Sequence, residues 1–147
     1  MKSIQNGFEI SGFPLEPLEK FEDLLYFEGA VLTHMYDETG NDYFAYWVDE
    51  DESGYRWLFF RVEKEDIFFY LSGKKSLREL LTTSKNPFII AADVSGKEYR
   101  NVTLLKPKDL DESYLPEAES YFALPVPEKY NALFPALRKD RSLVLNQ

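Results

Sequence analysis

Apolar positions along the chain follow two patterns, one with helical spacing and one of short, continuous β-prone runs. Near the start, Pro14 and Pro17 interrupt the backbone, and Leu18, Phe21, Leu24 and Leu25 then recur at helical intervals. That spacing predicts a short helix, with Gly29 as its stop because glycine tolerates the left-handed conformation at a helix end. Residues 30–36 and 43–48 are apolar, β-prone runs. Between them lies Asp37-Glu38-Thr39-Gly40-Asn41-Asp42, a hairpin loop in which Gly40 and Asn41 suit positive φ. A third run, 55–62, follows the acidic loop Asp49-Glu50-Asp51-Glu52-Ser53-Gly54. Three consecutive strands with short loops predict an antiparallel meander.

Helical spacing returns at 64–71, where Ile67, Phe68 and Leu71 share a face and Gly73 supplies the stop. Ser76-Leu77-Arg78-Glu79 matches a capping box, in which Ser76 and Glu79 satisfy orphan amide donors reciprocally. That helix is expected to end near Thr83, ahead of Asn86-Pro87. Residues 88–94 and 98–105 predict a second hairpin around Ser95-Gly96-Lys97. Beyond it, Pro107, Pro116, Pro125, Pro127 and Pro135 leave room only for short helical turns, expected at 109–114 and 128–133. From Arg138 onward a loosely held terminus is expected.

The order αβββααββ points to an α+β fold: an antiparallel sheet, made of a three-strand meander plus a second hairpin, with short helices packed mainly on one face. It lacks the βαβ alternation of a doubly wound nucleotide-binding fold. No repeat, low-complexity segment or linker divides residues 1–147, so one domain is expected. Within it, 1–29 forms an opening segment and helix, and 106–147 a proline-rich, partly irregular segment.

Composition narrows the function classes. With 12 Phe, 10 Tyr and 2 Trp in 147 residues, the chain has ample material for a core. The absence of cysteine removes disulfides, thiolate catalysis and cysteine-ligated zinc. Met1-Lys2-Ser3-Ile4-Gln5-Asn6 carries no signal-peptide apolar run and no stretch has the length of a membrane span, so a cytoplasmic location and no membrane association are expected. The net charge of −9 is uneven: residues 1–72 hold 16 acids against 5 bases, residues 73–147 hold 10 against 12. An acidic half disfavours direct nucleic-acid binding, which rests on Lys and Arg at phosphates, and favours a protein partner with a basic surface.

From Tyr26 to Leu81 several short segments occur in a distinctive order: Phe27-Glu28-Gly29-Ala30-Val31-Leu32, the aromatic strand 43–49, Arg56-Trp57-Leu58, and Gly73-Lys74-Lys75-Ser76-Leu77-Arg78-Glu79-Leu80-Leu81. Together they resemble a family of small, uncharacterised bacterial domains, in which a "wL…v" strand precedes a helix and a "G-x-x-S-L-R" helix start. The match covers about a third of the chain, and Ala30 stands where the family often carries proline. The resemblance implies a bacterial or mobile-element source and an α+β fold. It carries over no activity, cofactor or catalytic residue.

Residues with a recognisable chemical pattern are few. His34 is the one histidine, in the middle of an expected strand, with no second histidine to share a metal and no nucleophile at a telling spacing. It is expected on the sheet surface or at a partner contact. The acids Asp49, Glu50, Asp51 and Glu52 offer oxygens to a hard cation but lack the spacing of an EF-hand, so they are taken as a solvated turn. Gly73-Lys74-Lys75-Ser76 lacks the upstream glycine of a phosphate loop, since Phe68 stands there, and it joins two helices. No nucleophile elbow occurs. No cofactor, metal or catalytic residue is assigned, and a non-enzymatic protein is expected.

What remains is aromatic surface. Tyr55, Trp57 and Phe59 line one face of their strand while Leu58, Phe60 and Val62 line the other. On the preceding strand Tyr43, Ala45 and Trp47 oppose Phe44, Tyr46 and Val48. Both faces are thus apolar. Either the helices cover one and the proline-rich tail the other, or Tyr and Trp bordered by acids form an exposed binding patch. The second alternative names Tyr43, Trp47, Trp57, Asp49, Glu50, Asp51 and Glu52 as candidate contacts of an immunity, antitoxin or inhibitor type of protein. Small-ligand sensing, of a metabolite or nucleotide, is the alternative function. A homodimer fits either, because an uncovered aromatic face can pair with itself.

Overall fold

The structure is a computed structural model describing residues 18–52, 54–83, 89–95 and 98–135. Its described strands form one antiparallel sheet in sequence order: β1 (Glu19–Tyr26), β2 (Ala30–Tyr36), β3 (Asp42–Asp51), β4 (Gly54–Val62), β5 (Ile89–Ser95) and β6 (Glu98–Leu105). Helices α1 (Lys64–Leu71) and α2 (Leu77–Thr82) connect β4 to β5, which nevertheless pair directly, with Trp57 opposite Ala92. The fold is α+β, and the second hairpin is continuous with the strands before it. Expectations for the N-terminal prolines, for Asn86-Pro87, for the centre of the β5–β6 turn and for the terminus beyond Arg138 lie outside the described residues.

The segment expected as the first helix is strand β1. Its pairing with β2 slips between Lys20 and Glu22 and again between Asp23 and Leu25. A bulge inserts one unpaired residue and resets which side chains face inward. Here the extra residues are Phe21 and Leu24, so Phe21, Leu24 and Leu25 all reach the core. Two bulges therefore imitate helical spacing in a strand.

The helix cap and stop signals act as their chemistry requires. The Ser76 hydroxyl accepts from the Glu79 amide at 3.1 Å, and the Glu79 carboxylate accepts from the Ser76 amide at 3.2 Å. Gly73, at φ 77°, closes α1 after its cap Ser72. In the β2–β3 loop only Gly40 takes positive φ, at 87°. Asn41 is not left-handed; its amide and side chain instead donate to Asp37 at 2.9 and 3.1 Å. Burial of Asp37 works to raise its carboxyl, but these bonds and those from Thr39 outweigh it and hold the group below the usual carboxylate range.

Alternation along the strands gives the sheet two apolar faces. On one, Leu32, Phe44, Leu58, Phe60 and Ala91 meet Ile67, Tyr70 and Leu71 of α1 and Leu77, Leu80 and Leu81 of α2. Fully burying each large side chain contributes about 1.5–3 kcal/mol, which makes this layer the main core. The described part of the proline-rich segment joins the same face, through Leu110, Phe122 and Tyr130. It forms 3-10 turns at Pro107–Asp109 and Glu112–Tyr114 and a helical turn, α3 (Tyr130–Leu133). The described residues of the tail therefore pack on the helical face and not on the opposite one. Arg78 of α2 holds it in place by donating to the Pro116 carbonyl at 3.1 Å, and the Leu77 amide donates to the Ser120 carbonyl at 2.9 Å. The second face carries Met35, Tyr43, Ala45, Phe59, Ile90 and Ala92 with Leu18. Among the described residues no helix is long and apolar enough to cross a membrane.

Candidate binding groove

At one end of the second face the β1–β2 turn overhangs the β3–β4 hairpin and encloses an open cavity of about 390 Å³. Its walls are Phe27, Glu28, Gly29 and Ala30 from the turn, and Trp47, Glu50, Tyr55 and Trp57 from the hairpin. The turn is tight: Tyr26 pairs with Ala30, and the Phe27 amide donates to the Gly29 carbonyl at 2.8 Å. Glu28 sits in the left-handed region at φ 53°, unusual for a residue with a side chain. Phe27 is left 71% exposed, an apolar ring held out at the rim.

Strand register supplies the other wall. Trp47 lies directly opposite Trp57, and the Trp47 and Tyr55 rings meet edge to face with centroids 6.2 Å apart. A bulge at Val48 then shifts the pairing, so that Asp49 faces Arg56 and Glu50 faces Tyr55. Without the extra residue Asp49 would stand on the groove side; with it, Glu50 does. The Trp47 indole N–H donates to the Asp49 carbonyl at 2.7 Å and fixes the ring across the bulge. A shallower depression of about 220 Å³ continues from Trp57 over Ala45, Phe59 and Met35. Aromatic faces carry a negative quadrupole, and Glu28 and Glu50 add full charges, so the groove is chemically suited to a cation.

Of the residues singled out from sequence, the structure brings Trp47, Trp57 and Glu50 together here. Asp49, Asp51 and Glu52 are exposed nearby without lining the cavity. The acidic loop is shorter than expected, because β3 runs through Asp51 and Asp51 pairs with Gly54. Tyr43 is no surface contact: it is only 8% exposed and packs with Met35 and Phe59 on the second face. Phe27 and Glu28 escaped the sequence reading, since a helix stop at Gly29 hid a hairpin turn. Tyr55 was legible, sharing its strand face with Trp57.

His34, expected on the sheet surface or at a partner contact, is buried instead. It is 1% exposed, on the face that α1 and α3 cover, alongside Leu32 and Phe44. Its Nε2 lies 2.8 Å from Asp42 Oδ1 and its Nδ1 lies 2.8 Å from the Tyr130 hydroxyl. Lys64 of α1 donates to the other Asp42 oxygen. Burial works to raise the Asp42 carboxyl, but the hydrogen bonds and charges of His34 and Lys64 outweigh it and hold the group below its ordinary range. An ionised Asp42 accepts from Nε2–H, and in the neutral tautomer that this bond selects Nδ1 accepts from the Tyr130 O–H. Burial pushes the Tyr130 phenol far up, which keeps that donor protonated. The network ties β2, β3, α1 and α3 together, and both ring nitrogens are engaged by the protein itself. Asp42 was legible from the hairpin, as a diagonal neighbour of His34 on one face. Tyr130, 96 residues from His34, had no local signal.

Among the described residues no group of three or more His, Cys, Asp or Glu side chains is placed to hold a metal ion. Comparison of the chain with protein-family models, with curated proteins and with solved structures finds no match in any of the three.

Proposed function

We propose that this chain is a non-enzymatic acidic binding module, of the immunity, antitoxin or inhibitor kind, that takes a basic protein surface at the Trp47–Trp57 groove. The observation that carries the reading is the meeting of four exposed or half-exposed aromatics with two carboxylates in one open cavity. Trp and Tyr are the residues most enriched at the energetic centres of interfaces. The acids at the end of the hairpin surround the groove with negative potential, which attracts a positive partner and repels an acidic one. A second copy of this chain would set one acidic rim against another, so a basic partner fits the groove better than a homodimer does.

The test is capture of partners from a bacterial host on the immobilised chain, with stepwise salt elution and a Trp57→Ala control. Retention that weakens with salt and disappears in the variant is the expected result. Binding indifferent to both would overturn the reading. A second reading, small-ligand sensing, is favoured by the cavity volume, which lies within the roughly 300–1,000 Å³ of ordinary ligand sites. It requires some member of a metabolite and nucleotide panel to raise the melting temperature.

A further inference from the structure

Resting on that reading, we propose that the groove recognises one arginine side chain of the partner, its guanidinium stacked among Trp47, Trp57 and Tyr55 and bridged to Glu28 and Glu50. Arginine and lysine place different demands on a site. A guanidinium is planar, weakly hydrated and able to lie flat on an aromatic ring while its edge donors reach carboxylates. An ammonium is a strongly hydrated point charge that gains little from an extended aromatic wall. This groove offers broad ring surface, with the two tryptophans side by side on adjacent strands and Tyr55 edge-on to Trp47. Its two carboxylates come from different elements, the β1–β2 turn and β3, so they approach a bound cation from separate directions. A forked group with five donors satisfies both; the compact head of lysine has fewer directions to offer.

The geometry is also held before binding. Trp47 is anchored through its indole N–H to the Asp49 carbonyl, and the bulge at Val48 selects Glu50 for the groove side. A preformed wall loses less conformational freedom when a ligand arrives. Among the described residues, Lys129 lies over Phe21, Lys74 over Phe68 and Lys75 over Phe69, rings outside the groove.

The chain contains only two tryptophans, and both line the groove, so their indole N–H resonances report on it directly. The experiment titrates the ¹⁵N-labelled full chain with three capped peptides, Gly-Arg-Gly, Gly-Lys-Gly and Gly-citrulline-Gly, at low salt. The expected result is saturable movement of the Trp57 resonance with the arginine peptide, about three- to tenfold tighter than with lysine and absent with neutral citrulline. Glu50→Gln, an exposed change that leaves the fold intact, should weaken the arginine titration severalfold, and Trp57→Ala should abolish it. Equal binding of lysine and arginine would overturn the guanidinium assignment while leaving the basic-partner module standing. Equal binding of citrulline, or no movement with any cationic peptide, would overturn both.

Discussion

Replacing Asp42 with asparagine probes the buried network with almost no change of shape. Asp42 is 6% exposed and joins His34 of β2 to Lys64 of α1. Lys64 is 56% exposed, so water screens its pairing and the contribution is about 0–1 kcal/mol. The bond to His34 is buried and involves an ionised acceptor, a class that contributes about 1.5–3 kcal/mol. An asparagine oxygen still accepts from Nε2 but without the charge, which removes about half of that bond. Its amide hydrogens also face the Lys64 ammonium, donor against donor. The combined loss is about 2 kcal/mol, a drop of about 4–8 °C in Tm for a chain of this length. Alanine, which also leaves the His34 Nε2 proton without an acceptor, should lose about 3–5 kcal/mol. The pH dependence has a definite sign. The Asp42 carboxyl is lower in the folded state than in the unfolded chain. Its stabilisation is therefore complete above the unfolded value of about 4 and is lost as pH falls through the folded value. Urea titrations from pH 7 down to pH 2 should show the wild type losing more stability below pH 4 than the asparagine variant. Identical midpoints at pH 7 and parallel acid profiles would refute the reasoning.

Three further outcomes follow from other parts of the molecule. Tyr130→Phe deletes the hydroxyl bonded to His34 Nδ1 and leaves a buried acceptor unsatisfied, so chemical denaturation should show a loss of about 1–3 kcal/mol. Gly54→Ala should destabilise by more than about 1 kcal/mol in a thermal melt, because the residue sits at φ 129° and an added Cβ collides with the Val94 carbonyl of β5. Ser76→Ala removes the acceptor for the Glu79 amide at a site 1% exposed; a loss of about 1 kcal/mol, read from the urea midpoint, is expected.

Much of the fold was present in local patterning. The runs at 30–36, 43–48, 55–62 and 98–105 are strands, and the capping box at Ser76 starts a helix, because each depends on residues close along the chain. The sharing of one face by Trp47 and Trp57 was likewise readable, since side chains alternate along any regular strand. Three features were not. Bulges at Phe21 and Leu24 made β1 look helical, and a bulge is set by the partner strand rather than by its own residues. The bulge at Val48 chose Glu50 over Asp49 for the groove, a choice that four adjacent acids could not express. His34 is buried beneath α1 and α3, and Tyr43 is buried among Met35, Ala45 and Phe59 of its own sheet face, outcomes set by residues distant along the chain. By itself, then, the sequence determined where the chain extends, coils and turns everywhere from β2 to the second hairpin, through interactions a few residues long, but not in β1. Only the tertiary structure decided which acid meets the tryptophans, which face the tail covers and what His34 touches, because those outcomes are set by contacts between residues distant in sequence.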